Sequence, residues 1–478
     1  MQRKKLRTLF LLGAMIAVTC SALAYSDGRI LGTTIKPVAV KPVNVKAGLG
    51  IVSLSGNLVQ DKVEYKGSGE VGLQLTMTAA DLKPDIGQTG GNVDMVIVLD
   101  RSGSMQGDKI NDARQAIVDL ISRMTPGDRL GIVSYANSAN VNYGLQLVTN
   151  VNRARMQNAV WSINAGGGTN LGGGLQLGLD VLRRAEEAGN QRRLILISDG
   201  LANQGLTDPA ALGRIAAGGS SREIATSTVG VGNDFNENLM TSLADYGTGK
   251  YYYLEDPGAF ASVFLEEFKR TVATVATALK VRVPLTNGVS LVSAGGYPVT
   301  TKNGVATFRP GTLASGQQRR LFLTLRVPTS SEQNYRIDNI SMTYNHDGRN
   351  LRADLDEKFR IACVRDRKEA YASINKGAWE KKVLGEDLNR LREGIASDIK
   401  AGKKDEAYAR IKEYKAEQEA VNAAVGSALV ADSLVQDLDQ LEDTVNETFV
   451  GAPAAVAVKQ KKASKSMQYR AYEERRSN

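Results

Sequence analysis

Residues 93–104 have the sequence VDMVIVLDRSGS, in which a run of apolar residues ends in a carboxylate and two hydroxyls. Six of the seven residues from Val93 to Leu99 are apolar, which predicts a strand that is buried on both faces. Ligands of parallel sheets gather at the carboxyl ends of such strands. Asp100, Ser102 and Ser104 supply hard oxygen atoms only, and this suits Mg²⁺ or another hard divalent ion rather than zinc or copper.

The first 24 residues have the pattern of a signal peptide. Basic residues between positions 3 and 7 precede an apolar stretch at 9–18, and Ala22-Leu23-Ala24 offers a cleavage site before Tyr25. The alternatives are a membrane anchor that is never cut and, less favoured because Thr19 precedes it, a lipid-modified Cys20. We therefore expect an exported protein of the periplasm or the cell surface, or a secreted one.

The net charge of +9 is concentrated at the two ends of the 478-residue chain. The leader contributes four of these charges, and residues 451–478 contribute a net five, so the body between them is neutral. A local excess of this kind argues against a nucleic-acid partner. We expect residues 448–478 to be a basic flexible tail, and contact of this tail with anionic lipid is an open alternative to simple solvation.

Cysteine and histidine usage excludes several kinds of site. After the leader the chain retains a single cysteine, Cys363, so no intrachain disulfide can form, and its apolar surroundings predict a buried structural thiol. His346 is the one histidine, and it lies in the turn-like segment 345–348. Metal clusters built on histidine are therefore excluded, and no nucleophile motif supports a Ser-His-Asp triad.

Composition divides the rest of the chain into further segments. A β-rich segment is predicted at 25–90, an α/β domain at 91–275, a β-sandwich region at 276–364, and a helical bundle or hairpin at 365–447. Because β segments lie on both sides of the α/β domain, we expect that domain to be inserted into a sandwich or stacked on one.

The α/β domain is predicted to have a mainly parallel sheet, because its strands alternate with helices. Strands are predicted at 93–99, 129–136, 193–198, 224–231 and 250–254, with an antiparallel edge strand at 140–148. Helices are predicted at 108–124, 151–162, 171–187, 208–217, 235–246 and 257–275.

Three segments of this domain are expected to meet at the carboxyl edge of its sheet. The first holds Asp100, Ser102 and Ser104; the second is the glycine-rich loop 166–168, which leads to Thr169 at the start of a helix; the third is a buried strand that ends at Asp199. Together they supply two carboxylates and three hydroxyls, which is enough for Mg²⁺ held partly through waters.

This order of motifs resembles the von Willebrand factor A domain, in which five such side chains form the metal-ion-dependent adhesion site. The resemblance covers residues 92–275 and implies a Rossmann-like sheet. It also implies that Asp100, Ser102, Ser104, Thr169 and Asp199 bind a divalent cation, usually Mg²⁺ with Mn²⁺ or Ca²⁺ as alternatives, whose open position accepts a Glu or Asp carboxylate from a partner protein. The wider layout is similar to bacterial exported A-domain proteins and to the heavy chains of inter-alpha-trypsin inhibitor.

Other interpretations of these residues remain open. Asp100 could be a turn residue, Ser102 and Ser104 helix caps, and Thr169 a simple N-cap. A metal-stabilised envelope scaffold is one alternative function. A metal-dependent hydrolase is another, with Glu237 and Asp234 as the carboxylates nearest to a general base. No catalytic motif is present, so we expect a binding protein and not an enzyme.

Overall fold

The computed structural model describes residues 50–82, 92–184 and 190–477, so the predicted signal peptide lies outside the described residues. The chain enters the described part through three short strands with alternating burial. These are β1 (Val52–Leu58), β2 (Lys62–Glu64) and β3 (Glu70–Ala79).

The predicted α/β domain follows, and its fold class is confirmed. In chain order its elements are β4 (Val93–Asp100), α1 (Asp108–Arg123), β5 (Arg129–Tyr135), β6 (Ala139–Leu147), α2 (Asn150–Trp161), α3 (Leu171–Arg183), β7 (Gln191–Ser198), α4 (Pro209–Ser220), β8 (Ile224–Val231), α5 (Glu237–Tyr246), β9 (Thr248–Leu254) and α6 (Phe260–Val272). The six strands pair in the order β6-β5-β4-β7-β8-β9, and only the edge strand β6 runs antiparallel to its neighbour.

Helices cover both faces of this sheet, which explains why its central strands are apolar throughout. Every residue of β4 and of β8 is buried. On one face, α1 packs the buried side chains of Ile110, Ile117 and Ile121, which recur at the helical period. On the other face, α3 packs against β4. The sheet is thus the middle layer of three, and its carboxyl edge is left to loops.

The β-rich segments on either side of the domain form one sandwich. Strand β3 pairs antiparallel with β14, and β2 pairs parallel with β18. The chain therefore leaves the sandwich after β3 and returns to it with β10, so the α/β domain is inserted. The returning strands are β10 (Thr274–Pro284), β11 (Ser290–Ala294), β12 (Thr300–Lys302), β13 (Val305–Ala314), β14 (Gln318–Arg326), β15 (Asn334–Ile337), β16 (Ser341–His346), β17 (Arg349–Asp354) and β18 (Phe359–Val364).

A helical region ends the chain, as predicted. Its members are α7 (Arg367–Ala372), α8 (Lys376–Lys382), α9 (Leu388–Lys400), α10 (Lys404–Val425), α11 (Ala428–Thr448) and α12 (Pro453–Ser477). A π-helical turn at Val383–Asp387 joins α8 to α9. Leu391, Ile395, Ile411 and Leu438 lie in the shared core of α9, α10 and α11. Among the described residues, no helix combines the length and apolar character needed to cross a bilayer.

The prediction of a flexible tail at 448–478 is wrong, because α12 occupies most of that segment and packs on the α/β domain. Tyr472 is buried, and its hydroxyl accepts a hydrogen bond from the backbone N–H of Tyr251 in the edge strand β9, at 3.0 Å. Lys465 pairs with Glu237 at 2.7 Å. The segment lacks hydrophobic periodicity because ion pairs and tyrosines, rather than an aliphatic stripe, hold this helix in place.

Candidate metal site

The five predicted ligands lie together at the carboxyl edge of the sheet. Asp100 is the last residue of β4, and Asp199 follows directly after β7, which is the parallel neighbour of β4. Ser102 and Ser104 belong to the loop between β4 and α1, and Thr169 lies in the loop before α3. Because parallel strands end at the same edge, the chain brings these side chains together from positions almost 100 residues apart.

Asp100 is fully buried and held by two hydrogen bonds. Its Oδ1 accepts from the backbone N–H of Ser102 at 2.8 Å, and its Oδ2 accepts from the hydroxyl of Ser198 at 2.9 Å. Burial raises the pKa of Asp100 to about 6; the negative charge of Asp199 adds to this rise, while the hydrogen bonds oppose it. A buried carboxylate of this kind gains from a nearby cation.

The two serines connect Asp100 to Asp199. The hydroxyl oxygens of Ser102 and Ser104 lie 3.1 Å apart, and Ser104 donates to Asp199 Oδ1 at 2.7 Å. Ser102 and Asp199 are buried, whereas Ser104 is exposed. Ser102 occupies the N-cap position of the 3₁₀ turn at Gly103–Met105, but its side chain accepts no hydrogen bond from the backbone N–H groups of that turn, so its hydroxyl does not have the capping role of the alternative interpretation.

Thr169 is placed beside the serine loop. A Cβ atom built on Gly200 would lie 3.5 Å from Ser104 Oγ and 3.8 Å from Thr169 Oγ1, so both hydroxyls border the same point. The alternative interpretation of Thr169 as a simple N-cap is wrong, because the side chain of Asn170 accepts the hydrogen bond from Gly173 N–H at 2.9 Å and caps α3. Thr169 is thereby available to the site.

The loops that carry these hydroxyls are joined by backbone hydrogen bonds. Gly103 N–H donates to the carbonyl of Gly167 at 3.0 Å, and Gly166 N–H donates to the carbonyl of Arg101 at 2.7 Å. Gly166 and Gly167 both have positive φ angles, of 156° and 91°. Glycine adopts such angles without steric cost, which is why the glycine-rich loop can approach the serine loop so closely.

Two residues of this cluster were missed at the level of sequence. Lys109 in α1 places its ammonium nitrogen 2.6 Å from Asp199 Oδ2 and 3.3 Å from the carbonyl of Ser104. Ser198 holds Asp100, as described above. Ser198 was signalled by its place at the end of a buried strand, but nothing in the local pattern distinguishes Lys109 from any other lysine on a helix.

The donor set fits a hard divalent cation. It consists of carboxylate and hydroxyl oxygens, without sulfur or imidazole. Within the described ranges, no group of three or more His, Cys, Asp or Glu side chains gathers that could hold a metal without help from hydroxyls. The two carboxylates would therefore be supplemented by Ser102, Ser104, Thr169 and water, as is usual for Mg²⁺.

The carboxylates considered for a hydrolase are engaged elsewhere. Glu237 is buried between Lys400 and Lys465, at 2.6 and 2.7 Å, and these lysines lower its pKa although burial acts to raise it. Asp234 pairs with Lys461 at 2.8 Å.

The histidine and the remaining cysteine lie in the sandwich. His346 ends β16 and its Nδ1 lies 2.8 Å from the carbonyl of Val275, in the hairpin that the turn signature predicts. Cys363 is buried in β18, as predicted.

Similarity to known proteins agrees with this geometry. The family model of the von Willebrand factor type A domain matches residues 94–297, which extends past the predicted end at 275 and past the end of α6 into strands of the sandwich. The chain is 29% identical over 195 residues to the uncharacterized protein YfbK of Escherichia coli, which covers 40% of this chain and 33% of that protein. It is 26% identical over 187 residues to inter alpha-trypsin inhibitor heavy chain 4 of the mouse, and the match covers 37% of this chain and 20% of that protein. The chain thus spans a third or less of the length of these relatives.

Two solved structures share the wider fold. A von Willebrand factor type A protein from Catenulispora acidiphila superposes with a TM-score of 0.64 at 19% identity, covering 88% of this chain and 96% of that one. The ArnB paralog VWA2 from Sulfolobus acidocaldarius superposes with a TM-score of 0.53 at 18% identity, covering 88% of this chain and 99% of that one. Domain, sandwich and helical region therefore recur together. The chain contains a von Willebrand factor type A domain, and this is a family of metal-dependent protein-interaction modules.

Proposed function

We propose that this protein binds a partner protein by accepting one of its Asp or Glu carboxylates at a Mg²⁺ ion held by Asp100, Ser102, Ser104, Thr169 and Asp199. The observation that carries the proposal is the all-oxygen cluster in which the buried carboxylates of Asp100 and Asp199 are connected by Ser102 and by Ser104, the exposed member. When bound there, a divalent cation would supply an open coordination position for an oxygen ligand from outside.

The residues of the site contribute differently to its charge and to its oxygen ligands. Asp100 and Asp199 provide the negative charge, and the three hydroxyls add neutral oxygens. Lys109 partly neutralises Asp199, and its side chain is 27% exposed, so its flexible stem can move the ammonium towards solvent when another cation takes its place. A carboxylate of the partner would then lie in a desolvated interface, where removal of one charge of a pair is costly.

A recognition role is favoured over that of a metal-stabilised scaffold. The loops of the site are already joined by the backbone hydrogen bonds of Gly103 and Gly166, so their arrangement does not depend on a shared ligand alone. We further propose that the protein is not an enzyme. The pairing of Glu237 and Asp234 with lysines, together with the position of His346 in the sandwich, supports this view.

Metal binding is tested by titrating Mg²⁺ and Mn²⁺ into the purified protein in a calorimeter. Asp100→Asn preserves the shape of the side chain and is expected to abolish binding, because it removes one of two charged ligands. Asp356→Asn, on an exposed loop of the sandwich, is the matched control and should bind like wild type. Equal affinity in all three proteins would refute the assignment of the site.

The partner carboxylate is tested by affinity capture from the native envelope with wild type and Asp100→Asn, each in Mg²⁺ or in EDTA. A partner that is retained only by wild type in Mg²⁺ supports coordination, and one retained equally in all four conditions contradicts it. A large fall in the melting temperature on chelation, without any captured partner, would favour the scaffold.

We propose that the protein is exported, on the strength of the charged, apolar and small-residue segments within 1–24. Mass spectrometry of the protein from its native host should then find Tyr25 at the amino terminus. A mature chain that still begins at residue 1 in a soluble cell fraction would contradict this proposal.

A further inference from the structure

A cavity of about 280 Å³ lies where the α/β domain, the sandwich and α12 meet. Its wall includes Thr248 at the start of β9 and Arg270 near the end of α6, together with Pro310 of β13 and Tyr472 of α12. The amino end of β9 faces away from the carboxyl edge that carries the candidate metal site. The cavity is therefore a separate site.

Cations dominate the lining of this cavity. Lys250, Arg270, Arg319 and Arg476 contribute to it, and Glu266 is the one carboxylate among the lining residues. Three of the cations have carboxylate partners. Lys250 pairs with Glu266 at 2.9 Å, Arg270 with Glu267 at 3.5 Å, and Arg476 with Asp245.

Arg319 differs from the other three. It is 4% exposed, and within the described ranges it forms no ion pair with a carboxylate. Its two terminal nitrogens donate to the backbone carbonyls of Pro310 and Thr312, the latter at 2.9 Å. Its Nε is buried and has no hydrogen-bond partner in the described part of the chain. The carbonyls position the guanidinium but leave its charge uncompensated.

The surroundings make this charge unfavourable. Burial lowers the pKa of Arg319, and the nearby positive charges of Arg270 and Arg476 act in the same direction, whereas Tyr297 and Tyr472 oppose them. An arginine keeps its proton in proteins, so the cost of burial is not removed by deprotonation. A buried charge without a partner is strongly destabilising, and an anion in the adjoining cavity would offset that cost.

We infer that this cavity binds a small oxyanion with two or more negative charges, of the phosphate or polycarboxylate class. Planar guanidinium groups bind such oxygens through paired, charge-assisted hydrogen bonds. The volume suits a ligand between inorganic phosphate and a small tricarboxylate. Thr312 and Gln317 add polar groups to the wall, and Arg476 is held in place by stacking on Tyr297, with its guanidinium carbon 3.4 Å from the ring centroid.

Because three parts of the molecule line the cavity, the anion would join them. Its binding should stabilise the contact of α12 with the α/β domain and the sandwich. Melting curves are measured in EDTA, so that the candidate metal site plays no part, with phosphate, sulfate, citrate or chloride at equal ionic strength. At tenfold excess over its Kd, a binding anion should raise the melting temperature of wild type by about 2 °C.

Variants distinguish a specific anion site from a general salt effect. Arg319→Met should abolish the rise in melting temperature. Arg270→Gln, at a side chain that is 34% exposed, should weaken the rise several-fold, and it serves if Arg319→Met does not fold, because the buried Glu267 keeps Arg193 as a partner. Arg282→Gln, exposed on β10, is the matched control and should respond like wild type.

The comparison of anions identifies the ligand class. A larger response to phosphate and sulfate indicates a phosphate-type ligand, and a larger response to citrate indicates a polycarboxylate. The inference is overturned if chloride acts as strongly as the multivalent anions, if no anion stabilises wild type, or if Arg270→Gln and Arg282→Gln respond alike. A second measurement is trypsin cleavage within α12, which the bound anion should slow.

Discussion

Asp100 shows how the position of a single residue determines its chemistry. As the last residue of β4, it is buried by the helices that cover both faces of the sheet, and burial raises its pKa to about 6. The same carboxylate on an exposed turn would be an ordinary acid. The sequence marks the residue through the apolar run before it, but the size of the pKa change depends on Asp199 and Ser198, which come from another strand.

We predict that Asp100→Asn stabilises the metal-free protein at neutral pH. The folded state holds the Asp100 proton more tightly than the unfolded chain does, so this group lowers the stability as the pH rises from about 4 through 6. The variant should therefore match wild type near pH 3.5 and exceed its free energy of unfolding by about 3 kcal/mol at pH 8.

Urea denaturation in EDTA across this pH range is the measurement. Asp356→Asn, whose carboxylate is exposed, should show no such trend. A difference between Asp100→Asn and wild type that stays constant from pH 3.5 to pH 8 would contradict the prediction.

At the scale of elements, α3 lies unusually close to the sheet. A Cβ atom on Gly178 would lie 2.5 Å from Val98 Cγ2 and 2.8 Å from Leu194 Cδ1, so only glycine lets the helix approach β4 and β7 at this distance. Nearer the start of the helix, a Cβ atom on Gly174 would lie 2.5 Å from Tyr135 Cδ1 of β5, so both glycines serve helix–sheet packing.

Gly178→Ala is expected to lower the free energy of unfolding by about 1–3 kcal/mol, because the added methyl group overpacks the core. Gly218 in α4 is the matched control, since nothing lies within 4 Å of the Cβ position there. Gly218→Ala should be neutral or stabilise by up to about 1 kcal/mol, as alanine favours the helix. Chemical denaturation of both variants decides the matter, and equal losses would show that the close approach is not the cause.

At the scale of the whole molecule, α12 joins parts of the chain that are more than 200 residues apart. Lys465 is 4% exposed and Glu237 is 2% exposed, and the Lys465 ammonium also donates to the carbonyl of Phe235 at 2.8 Å. Tyr469 and Tyr472 pack edge-on against Tyr251 in β9, with ring centroids 5.6 Å apart in each pair. The charged segment that resembles a solvated tail in sequence is therefore part of the folded body.

Lys465→Met is expected to cost about 2–3 kcal/mol of stability, because it leaves the buried Glu237 with Lys400 as its remaining partner. Lys461 lies on the same helix as Lys465 and forms an exposed pair with Asp234, in which the two side chains are 59% and 66% exposed. Lys461→Met breaks this pair and should cost less than about 0.5 kcal/mol of stability. Denaturation of the two variants side by side is the test. Similar losses would mean that burial does not set the strength of these pairs.

Hydrophobic periodicity is a local property, and for that reason the sequence by itself determined the strands and helices of the α/β domain, the parallel sheet and the oxygen-bearing side chains at its carboxyl edge. The tertiary structure alone decided the contacts that no strand-end pattern marks. It brought Lys109 to Asp199, decided between insertion and stacking of the domain by pairing β3 with β14, and turned the basic end of the chain into a docked helix. Such contacts depend on charges and shapes that face each other only after folding, so the pattern of neighbouring residues carries no trace of them.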